Sequence, residues 1–215
     1  MRGSYEAGAG GAMFERLVIA TTNRGKLAEL SDGLTGLART LETLPRDFAS
    51  PEETGLTFAA NAWIKASAAC KAANLPALAD DSGLCVDALG GGPGVWSARY
   101  AGPAQDSAAN RAKLLAALQH VPDGRRTARF VAALALVAPD GRKWLAQGEC
   151  AGVIARTETG CNGFGYDSIF LYGTSGVSFA EMDAQIKRAV SHRTRAIAEL
   201  RRMLALDPSQ PGTWR

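Results

Sequence analysis

The stretch from residue 77 to residue 102, ALADDSGLCVDALGGGPGVWSARYAG, constrains the fold most. It reads as a short apolar strand that ends at two adjacent carboxylates, Asp80 and Asp81, followed by a glycine-rich loop. Burying an ionised carboxylate without a partner costs several kcal/mol, so we expect the pair at the mouth of a cleft or on a cation. On this stretch alone, a turn is an equally good interpretation, with either aspartate accepting hydrogen bonds from the backbone of Ser82 and Gly83.

The length and composition predict one folded unit. The chain has 215 residues, of which 47% are hydrophobic and 21% charged, and can bury a full core in one compact domain or in two lobes that share a sheet. We expect this domain to span residues 13–207, with residues 1–12 and 208–215 as tails. The longest apolar run, Phe130 to Pro139, is too short to cross a membrane, and the N-terminus lacks the apolar core of a signal peptide. These features predict a cytoplasmic protein with no membrane partner.

The cysteine, histidine and charge content argues against several kinds of site. A zinc site or a disulfide framework is not expected, because the two histidines and four cysteines are widely spaced and form no C-x-x-C pair. The net charge of +3 is mild and would tolerate an anionic substrate. There is no block of lysine and arginine of the kind that binds duplex phosphates, so we expect no nucleic-acid partner.

A strand, polar loop and helix follow one another near the N-terminus. Residues 17–20 form the strand, TTNRGK from Thr21 to Lys26 is the loop, and the helix places Leu27, Leu30, Leu34 and Leu37 on one face. Such a junction offers free backbone N–H groups and the positive end of a helix dipole, which suits a phosphate. It is not a Walker A loop, since the first glycine and the Ser or Thr after the lysine are missing. A solvated turn with two surface cations is the simpler interpretation of this loop alone.

The next segments predict a strand, an acidic loop and a helix. The strand covers residues 39–44, and the loop from residue 45 to residue 55 carries Glu52 and Glu53. The helix runs from about Phe58 to Ala73, with Thr57 as its N-cap and a packing face of small residues. Asn61 and Lys65 are four residues apart and share a face, which is typical of a solvated surface.

The second half of the chain predicts a β-hairpin and a helical C-terminus. Asp106 caps a helix that reaches about Gln119, and two β-rich segments, 128–138 and 144–154, are joined by the turn signal Pro139-Asp140-Gly141. Ser191 is an N-cap candidate for the final helix. Because βα units and a hairpin are mixed, we expect an α/β fold with a mixed sheet and helices packed on it.

Five ordered motifs together resemble the inosine triphosphate pyrophosphatase (Ham1) family: ATTNRGKLAEL, EETGLTFAANAWIKA, ADDSGLCVDALGGGPGVWSARYAG, GFGYDSIF and SHR. The resemblance runs from about Leu17 to Leu204. It implies an elongated two-lobed α/β fold with a curved mixed sheet, flanking helices and a central substrate cleft, assembled as a homodimer. It also implies hydrolysis of inosine and xanthosine triphosphates, and of their deoxy forms, to the monophosphate and pyrophosphate.

The resemblance assigns metal, catalytic and substrate-binding roles. Glu53 and Asp81 match the magnesium ligands of the family, and Asp81 also matches its catalytic carboxylate. Mg²⁺ takes one or two carboxylates together with substrate phosphates and water, so two acids from separate loops suit it. Substrate binding away from the base is implied for Thr21, Thr22, Asn23, Arg24, Gly25, Lys26, Lys65, Ser82 and Lys187.

Base recognition is implied for Phe164, Gly165, Tyr166, Asp167, His192 and Arg193. Phe164 can stack on a purine, and donors from His192 and Arg193 suit a 6-keto oxygen. Adenine presents a 6-amino donor at that place and would leave buried donors unpaired, which is costly. We therefore expect inosine and xanthosine triphosphates to outcompete ATP.

Three alternatives stay open at this point. A Maf-type nucleotide pyrophosphatase has a related fold and other base preferences, although GFGYD and SHR argue against it. A nucleotide-binding regulator without turnover would need the phosphate loop but not the acids Glu53 and Asp81. A purely structural role would leave the glycine loops and the paired acids unexplained.

Overall fold

The computed structural model describes residues 12–45, 47–173 and 175–206. They form a six-stranded mixed sheet with helices on both faces, which confirms the predicted α/β class. The two expected tails lie almost entirely outside the described residues. Among the described residues no helix is both long and apolar enough to span a bilayer.

The sheet has the strand order β2-β1-β3-β4-β5-β6. Strand β1 pairs in parallel with β2 and β3, and every pairing from β3 to β6 is antiparallel. The strands are β1 Phe14–Ile19, β2 Ala38–Thr43, β3 Ala77–Val86, β4 Thr127–Val137, β5 Lys143–Ile154 and β6 Phe170–Tyr172. The helices are α1 Arg24–Gly33, α2 Phe58–Ala73, α3 Ser107–Ala117, α4 Ala184–Val190 and α5 His192–Leu206.

The predicted hairpin of β4 and β5 is confirmed and carries the core. Successive side chains of a strand point to opposite faces, and β4 buries apolar side chains on both faces of the sheet. Ala133 and Ala135 pack against the small-residue face of α2. On the other face, Leu134 belongs to a core shared with α1 and α5, and Phe130 belongs to a second core shared with α3 and β6. The long hairpin therefore joins two cores on one face of the sheet.

The helix caps follow the sequence signals closely. Thr57 Oγ1 accepts a hydrogen bond from Ala60 N at 3.1 Å, which starts α2 where it was predicted. Asp106 caps α3 through Ala108 N at 2.8 Å, and Ser191 Oγ accepts from Thr194 N at 3.2 Å at the start of α5. These local motifs fix helix starts because they satisfy backbone N–H groups that have no partner within the helix.

Helix α1 is shorter than its leucine spacing predicts. It ends at Gly33 with Leu34 as its C-cap, so Leu37 lies outside the helix. Gly36, with φ of +82°, turns the chain toward β2. Leu37 is still buried in the same core as Leu30 and Leu34. The spacing identified the buried residues correctly but overextended the helix.

The strand that was expected to end at Asp80 and Asp81 does not end there. β3 continues to Val86, and both aspartates pair with β4, opposite Leu134 and Ala133. The turn interpretation of this stretch is therefore wrong. On its other edge, β3 pairs with β1 only as far as Leu78. This edge stays without a strand partner, within the described residues, until the isolated bridge between Cys85 and Pro93. The two carboxylates thus lie beside an open gap in the sheet.

Candidate active site

Asp80 and Asp81 point to opposite faces of the sheet, as neighbours in a strand must. Asp80 is 2% exposed and faces the side covered by α1 and α5. Asp81 is 7% exposed and faces α2. Each carboxylate has its own partners: Arg193, Lys26 and the Ser82 hydroxyl for Asp80, and Lys65 and the Asn61 amide for Asp81. Burial of two adjacent acids is therefore compensated separately on the two faces of β3.

Asp80 is the centre of a buried charge network. Its Oδ2 atom lies 3.0 Å from Arg193 Nε and 3.4 Å from Lys26 Nζ. Its Oδ1 atom is buried without a hydrogen-bond partner among the described residues. Burial alone would raise the pKa of Asp80, but the charges of Arg193 and Lys26 outweigh it and hold this pKa below its usual range. Asp80 is therefore ionised in the folded protein.

Arg193 ties this network together from the first turn of α5. Besides Asp80, its guanidinium donates to Ser82 Oγ at 3.0 Å and to the carboxylate of Glu29. Burial alone would lower the pKa of Arg193, but Asp80 and Glu29 raise it. Three of the roughly five N–H groups of a guanidinium are thus committed to the protein. The remaining ones make no hydrogen bond to the described residues.

Asp81 shares a lysine with Glu53. Lys65 Nζ lies 2.8 Å from Asp81 Oδ1 and 2.9 Å from Glu53 Oε1. Asn61 Nδ2 donates to Asp81 Oδ2 at 3.3 Å, and Arg99 lies 3.3 Å from Glu53 Oε2. The face that Asn61 and Lys65 share on α2 is thus turned toward the acids, and the solvated-surface interpretation of this pair is wrong.

The two acids differ in the direction of their pKa shifts. Burial raises the pKa of Asp81 above its ordinary value, against the opposing charge of Lys65. For Glu53 burial would also raise the pKa, but the hydrogen bonds of Lys65 and Arg99 lower it. Burial thus favours the neutral form of Asp81, whereas the two cationic neighbours favour the ionised form of Glu53.

Glu53 and Asp81 are suitable ligands for a hard divalent cation. Within the described part of the chain no cluster of three or more metal-ligating side chains occurs. The two carboxylates nevertheless converge on one cation, the Lys65 ammonium, from β3 and from the loop before α2. Their oxygens fit an ion that completes its coordination with phosphate and water oxygens. A protein cage that encloses the ion fully is not formed by these residues.

Two adjoining cavities meet at this gap in the sheet. The first has a volume of about 370 Å³ and the second about 440 Å³. Both are lined by Asn23, Lys26 and Ser82, so the cavities are continuous around these residues. The first is also lined by the predicted residues Arg24, Gly25, Phe164, Gly165, Tyr166, Asp167, Lys187, His192 and Arg193. The second is also lined by Thr21, Thr22, Glu53, Lys65 and Asp81. The structure thus brings every residue of the predicted site to one of the two cavities.

The loop before α1 is organised by its own side chains. Asn23 Oδ1 caps the helix by accepting from Lys26 N at 3.1 Å, and Asn23 N donates to Thr21 Oγ1 at 3.2 Å. Lys26 is drawn inward over this turn, and burial lowers its pKa despite the attraction of Asp80. The loop therefore presents a partly desolvated cation at the junction of the cavities, and the simple solvated turn does not describe it.

The GFGYD loop closes the first cavity from the other side. Asp167 Oδ2 accepts from Phe164 N at 2.8 Å and lies 2.7 Å from Lys187 Nζ. The Tyr166 hydroxyl donates to Ser97 O at 2.8 Å, so it serves the fold in this conformation. The Phe164 ring is 39% exposed, and a Cβ built on Gly25 would lie 2.8 Å from it. The ring therefore spans the entrance between the two loops.

His192 lies at the floor of the first cavity. Its ring stacks on Phe130 with centroids 5.0 Å apart, and Nδ1 is buried without a hydrogen-bond partner among the described residues. Burial, reinforced by Arg193, lowers the pKa of His192 well below its ordinary value. The imidazole is therefore neutral at pH 7 and offers one donor and one acceptor.

Sequence reasoning missed three side chains that hold the site together. Glu29 contacts Arg193 and lies 3.5 Å from Lys187 Nζ. It follows Lys26 by three residues on α1, so helical spacing was a usable signal. Arg99 reaches Glu53, and Arg111 donates to Gly165 O at 2.9 Å. No local signal marks these two arginines, because their partners are distant in the sequence.

Comparisons with known proteins identify the family of this chain. A sequence model of the Ham1 family matches residues 17–203. The curated dITP/XTP pyrophosphatase of Haemophilus ducreyi is 47% identical over 194 residues, which is 88% of this chain and 98% of that protein. The enzyme of the same name from Geobacter sulfurreducens is 50% identical over 189 residues, covering 86% and 94% of the two chains. The solved Ham1 protein of Staphylococcus aureus superposes with a TM-score of 0.79 at 39% identity, covering 88% of this chain and 98% of its own.

Proposed function

The chain belongs to the Ham1 family, and we propose that it hydrolyses dITP, XTP and related triphosphates of non-standard purines to the monophosphate and pyrophosphate. The observation that carries this proposal is the junction of two cavities at Lys26 and Ser82, one lined by the GFGYD and SHR residues and the other by paired acids and lysines. The base and sugar occupy the first cavity, and the phosphate chain passes over Lys26 into the second.

The phosphate chain is held by cations and by the loop before α1. Lys26 and Lys65 line the second cavity and supply charge-assisted hydrogen bonds to phosphate oxygens. Thr21, Thr22 and the first turn of α1 add hydroxyl and backbone donors at the positive end of a helix dipole. Ser82 lies between the cavities and serves the α-phosphate region.

A magnesium ion is the proposed cofactor, held by Glu53 and Asp81. Their two carboxylates already converge on a cation, Lys65, within 2.8–2.9 Å, and the phosphates and water would supply the remaining oxygens. When bound, the ion neutralises charge on the phosphates and lowers the pKa of a nearby water. Lys65, which pairs with both acids in this structure, would then be released to donate to phosphate oxygens.

Asp81 is the proposed general base. It accepts a proton from the attacking water, whose oxygen forms a bond to the α-phosphorus. The bond between the α-phosphorus and the bridging oxygen breaks, and its electron pair leaves with pyrophosphate. In the metal-free protein, burial raises the pKa of Asp81 against the opposing charge of Lys65. Asn61 Nδ2 donates to Asp81 Oδ2 at 3.3 Å and orients the carboxylate.

The purine base is read in the first cavity. Phe164 stacks on the ring system, and the 6-keto oxygen accepts from His192 or from the uncommitted N–H groups of Arg193. Lys187 and Asp167 hold each other at 2.7 Å beside this place and offer one donor and one acceptor to the base. Adenine would set its 6-amino donor against donors, which is a costly mismatch.

The decisive experiment is pyrophosphate release from ITP, XTP, dITP, GTP, ATP and UTP, each with Mg²⁺ and with EDTA. We expect metal-dependent release confined largely to inosine and xanthosine nucleotides. Release mainly from UTP would favour the Maf-type alternative, and tight nucleotide binding without release would make the protein a nucleotide-binding regulator.

The proposed assembly is a homodimer that acts in the cytoplasm on free nucleotides. This part of the proposal is supported by the resemblance to the family. Light scattering after size exclusion tests it, since a dimer has twice the chain mass of 22.5 kDa. A monomeric mass at working concentration would contradict it.

A further inference from the structure

Arg99 is a cation at the phosphate cavity to which the proposed mechanism gives no role. Of the described residues that line the second cavity, three carry a positive charge: Lys26, Lys65 and Arg99. Arg99 ends the short 3-10 helix Gly94–Arg99, and its side chain is 27% exposed. It lines the second cavity, and its charge is accessible to a ligand there.

The guanidinium of Arg99 makes two contacts with the protein. It donates to Glu53 Oε2 at 3.3 Å, which is long for a hydrogen bond between charged groups. It also lies over the ring of the exposed Trp96, 4.5 Å from the centroid, a contact worth about 0.5–1 kcal/mol at an exposed site. Arg99 makes no other hydrogen bond or ion pair in the described part of the chain. Most of its donors are thus uncommitted.

Arg99 lines the second cavity but not the first, whereas Lys26 and Ser82 line both. In the proposed function the α-phosphate lies near Ser82, and the rest of the phosphate chain continues into the second cavity. Arg99 is therefore a cation of the cavity that would hold the β- and γ-phosphates, and it contacts Glu53, one of the two proposed metal ligands.

We propose that Arg99 binds the two phosphate groups that leave as pyrophosphate, exchanging Glu53 for them when Glu53 takes a divalent cation. The proposal rests on the proposed function, since it assumes that the phosphate chain occupies the second cavity. A carboxylate that binds a divalent ion no longer favours a guanidinium beside it, and the two positive charges repel. A planar guanidinium can donate two parallel hydrogen bonds to the oxygens of a phosphate group. The contact of Arg99 with Trp96 does not involve Glu53 and can persist during the exchange.

The test is the affinity of inorganic pyrophosphate, measured by calorimetry with the intact protein. With Mg²⁺, Arg99→Ala should bind pyrophosphate about ten- to a hundredfold more weakly than the wild type, as expected for lost charge-assisted hydrogen bonds. Arg99→Lys should recover part of the lost pyrophosphate affinity, because lysine restores the charge but not the paired donors of a guanidinium. Binding of inosine monophosphate should stay within about twofold in both variants. With EDTA the difference between wild type and Arg99→Ala should shrink, since Glu53 then retains the guanidinium.

A matched control is Arg129→Ala. Arg129 also pairs with a carboxylate, Asp87 at 3.0 Å, but lines neither cavity; its loss should leave pyrophosphate binding unchanged. Equal pyrophosphate affinity in the wild type and Arg99→Ala would overturn the role of Arg99 and leave the proposed function standing. Equal losses for pyrophosphate and inosine monophosphate would also overturn it, because Arg99 would then not be selective for the leaving phosphates. A wild-type protein that binds no pyrophosphate would overturn the placement of the phosphate chain, and this inference with it.

Discussion

Arg193 Nε donates to Asp80 Oδ2 at 3.0 Å, joining the first turn of α5 to the middle of β3. The two residues are 113 positions apart, and both side chains are almost completely buried. A cation in the first turn of a helix opposes the helix dipole, so this arginine needs an acceptor close by. Asp80 and Glu29 meet that need. Arg193 lines the first cavity and Asp80 the second, so this contact lies where the two cavities adjoin.

Removing Arg193 should destabilise the protein strongly. Arg193→Ala leaves Asp80 and Glu29 without their shared cation, and breaking a buried ion pair costs about 3–5 kcal/mol. Urea unfolding should show this loss. Arg201→Ala is the matched control: Arg201 lies on the same helix but donates to backbone carbonyls of Gly33 and Thr35, so its loss should cost only about 1 kcal/mol. If both variants lower the free energy of unfolding by the same amount, the buried ion-pair network stabilises the protein no more than ordinary hydrogen bonds do.

The low pKa of Asp80 should appear in the pH dependence of stability. Although burial acts against it, the charges of Arg193 and Lys26 hold this pKa below that of an unfolded aspartate. At a pH between the two pKa values the folded state then binds fewer protons than the unfolded state. The stabilisation that Asp80 contributes is therefore fully present above about pH 4 and is lost as the pH falls toward the pKa of the folded state. The free energy of unfolding of the wild type should therefore fall more steeply below about pH 4 than that of Asp80→Asn. Parallel curves would mean that Asp80 titrates alike in both states.

Local signals in the sequence predicted the frame of the fold. The Thr57 cap and the Pro139 to Gly141 turn act through neighbouring backbone, so helix α2 and the hairpin could be located without knowing the rest of the chain. The resemblance supplied the list of site residues, and the structure brings them to two joined cavities. The residue roles themselves stay predictions.

What the sequence could not predict is how the acids are buried. An Asp-Asp pair looks like the end of a strand unless Arg193 and Lys65 are known to meet it on opposite faces. These partners lie 113 and 16 residues away, and only the tertiary fold brings them to β3. The place of Arg99 in the site could not be predicted for the same reason. Its role depends on Glu53, which is 46 residues distant.

Asp81→Asn should separate binding from turnover. The amide keeps the size of the carboxylate and still accepts a hydrogen bond, but it is a very poor proton acceptor. The kcat for ITP should fall about 10²- to 10⁴-fold, as expected for the loss of a general base, while nucleotide still binds. Asp87→Asn removes an exposed carboxylate outside both cavities and should keep wild-type kcat. Near wild-type kcat in Asp81→Asn would remove Asp81 from the catalytic role.

Lys26→Ala should weaken triphosphate binding more than monophosphate binding. Lys26 lines both cavities, and burial lowers its pKa, so its ammonium is poorly solvated and gains much from a phosphate. We expect the Kd of ITP to rise about tenfold or more and that of inosine monophosphate to rise less. Lys71→Ala, which removes an exposed lysine of α2, is the control. Equal weakening of both ligands would place Lys26 at the base, sugar or α-phosphate, or in the fold alone.

His192 should set the preference for 6-keto purines over adenine. Its imidazole is buried and neutral, and Nδ1 lacks a hydrogen-bond partner among the described residues. A site built to hydrogen-bond one group can reject the wrong group by about 10⁴-fold, because buried polar atoms are then left unpaired. The kcat/KM for ITP should exceed that for ATP by at least about 10²-fold in the wild type. In His192→Ala the ratio should fall, chiefly through slower ITP hydrolysis. Comparable kcat/KM values for ITP and ATP in the wild type would refute this account of base recognition. An unchanged ratio in His192→Ala would instead assign discrimination to Arg193, Lys187 or the GFGYD backbone.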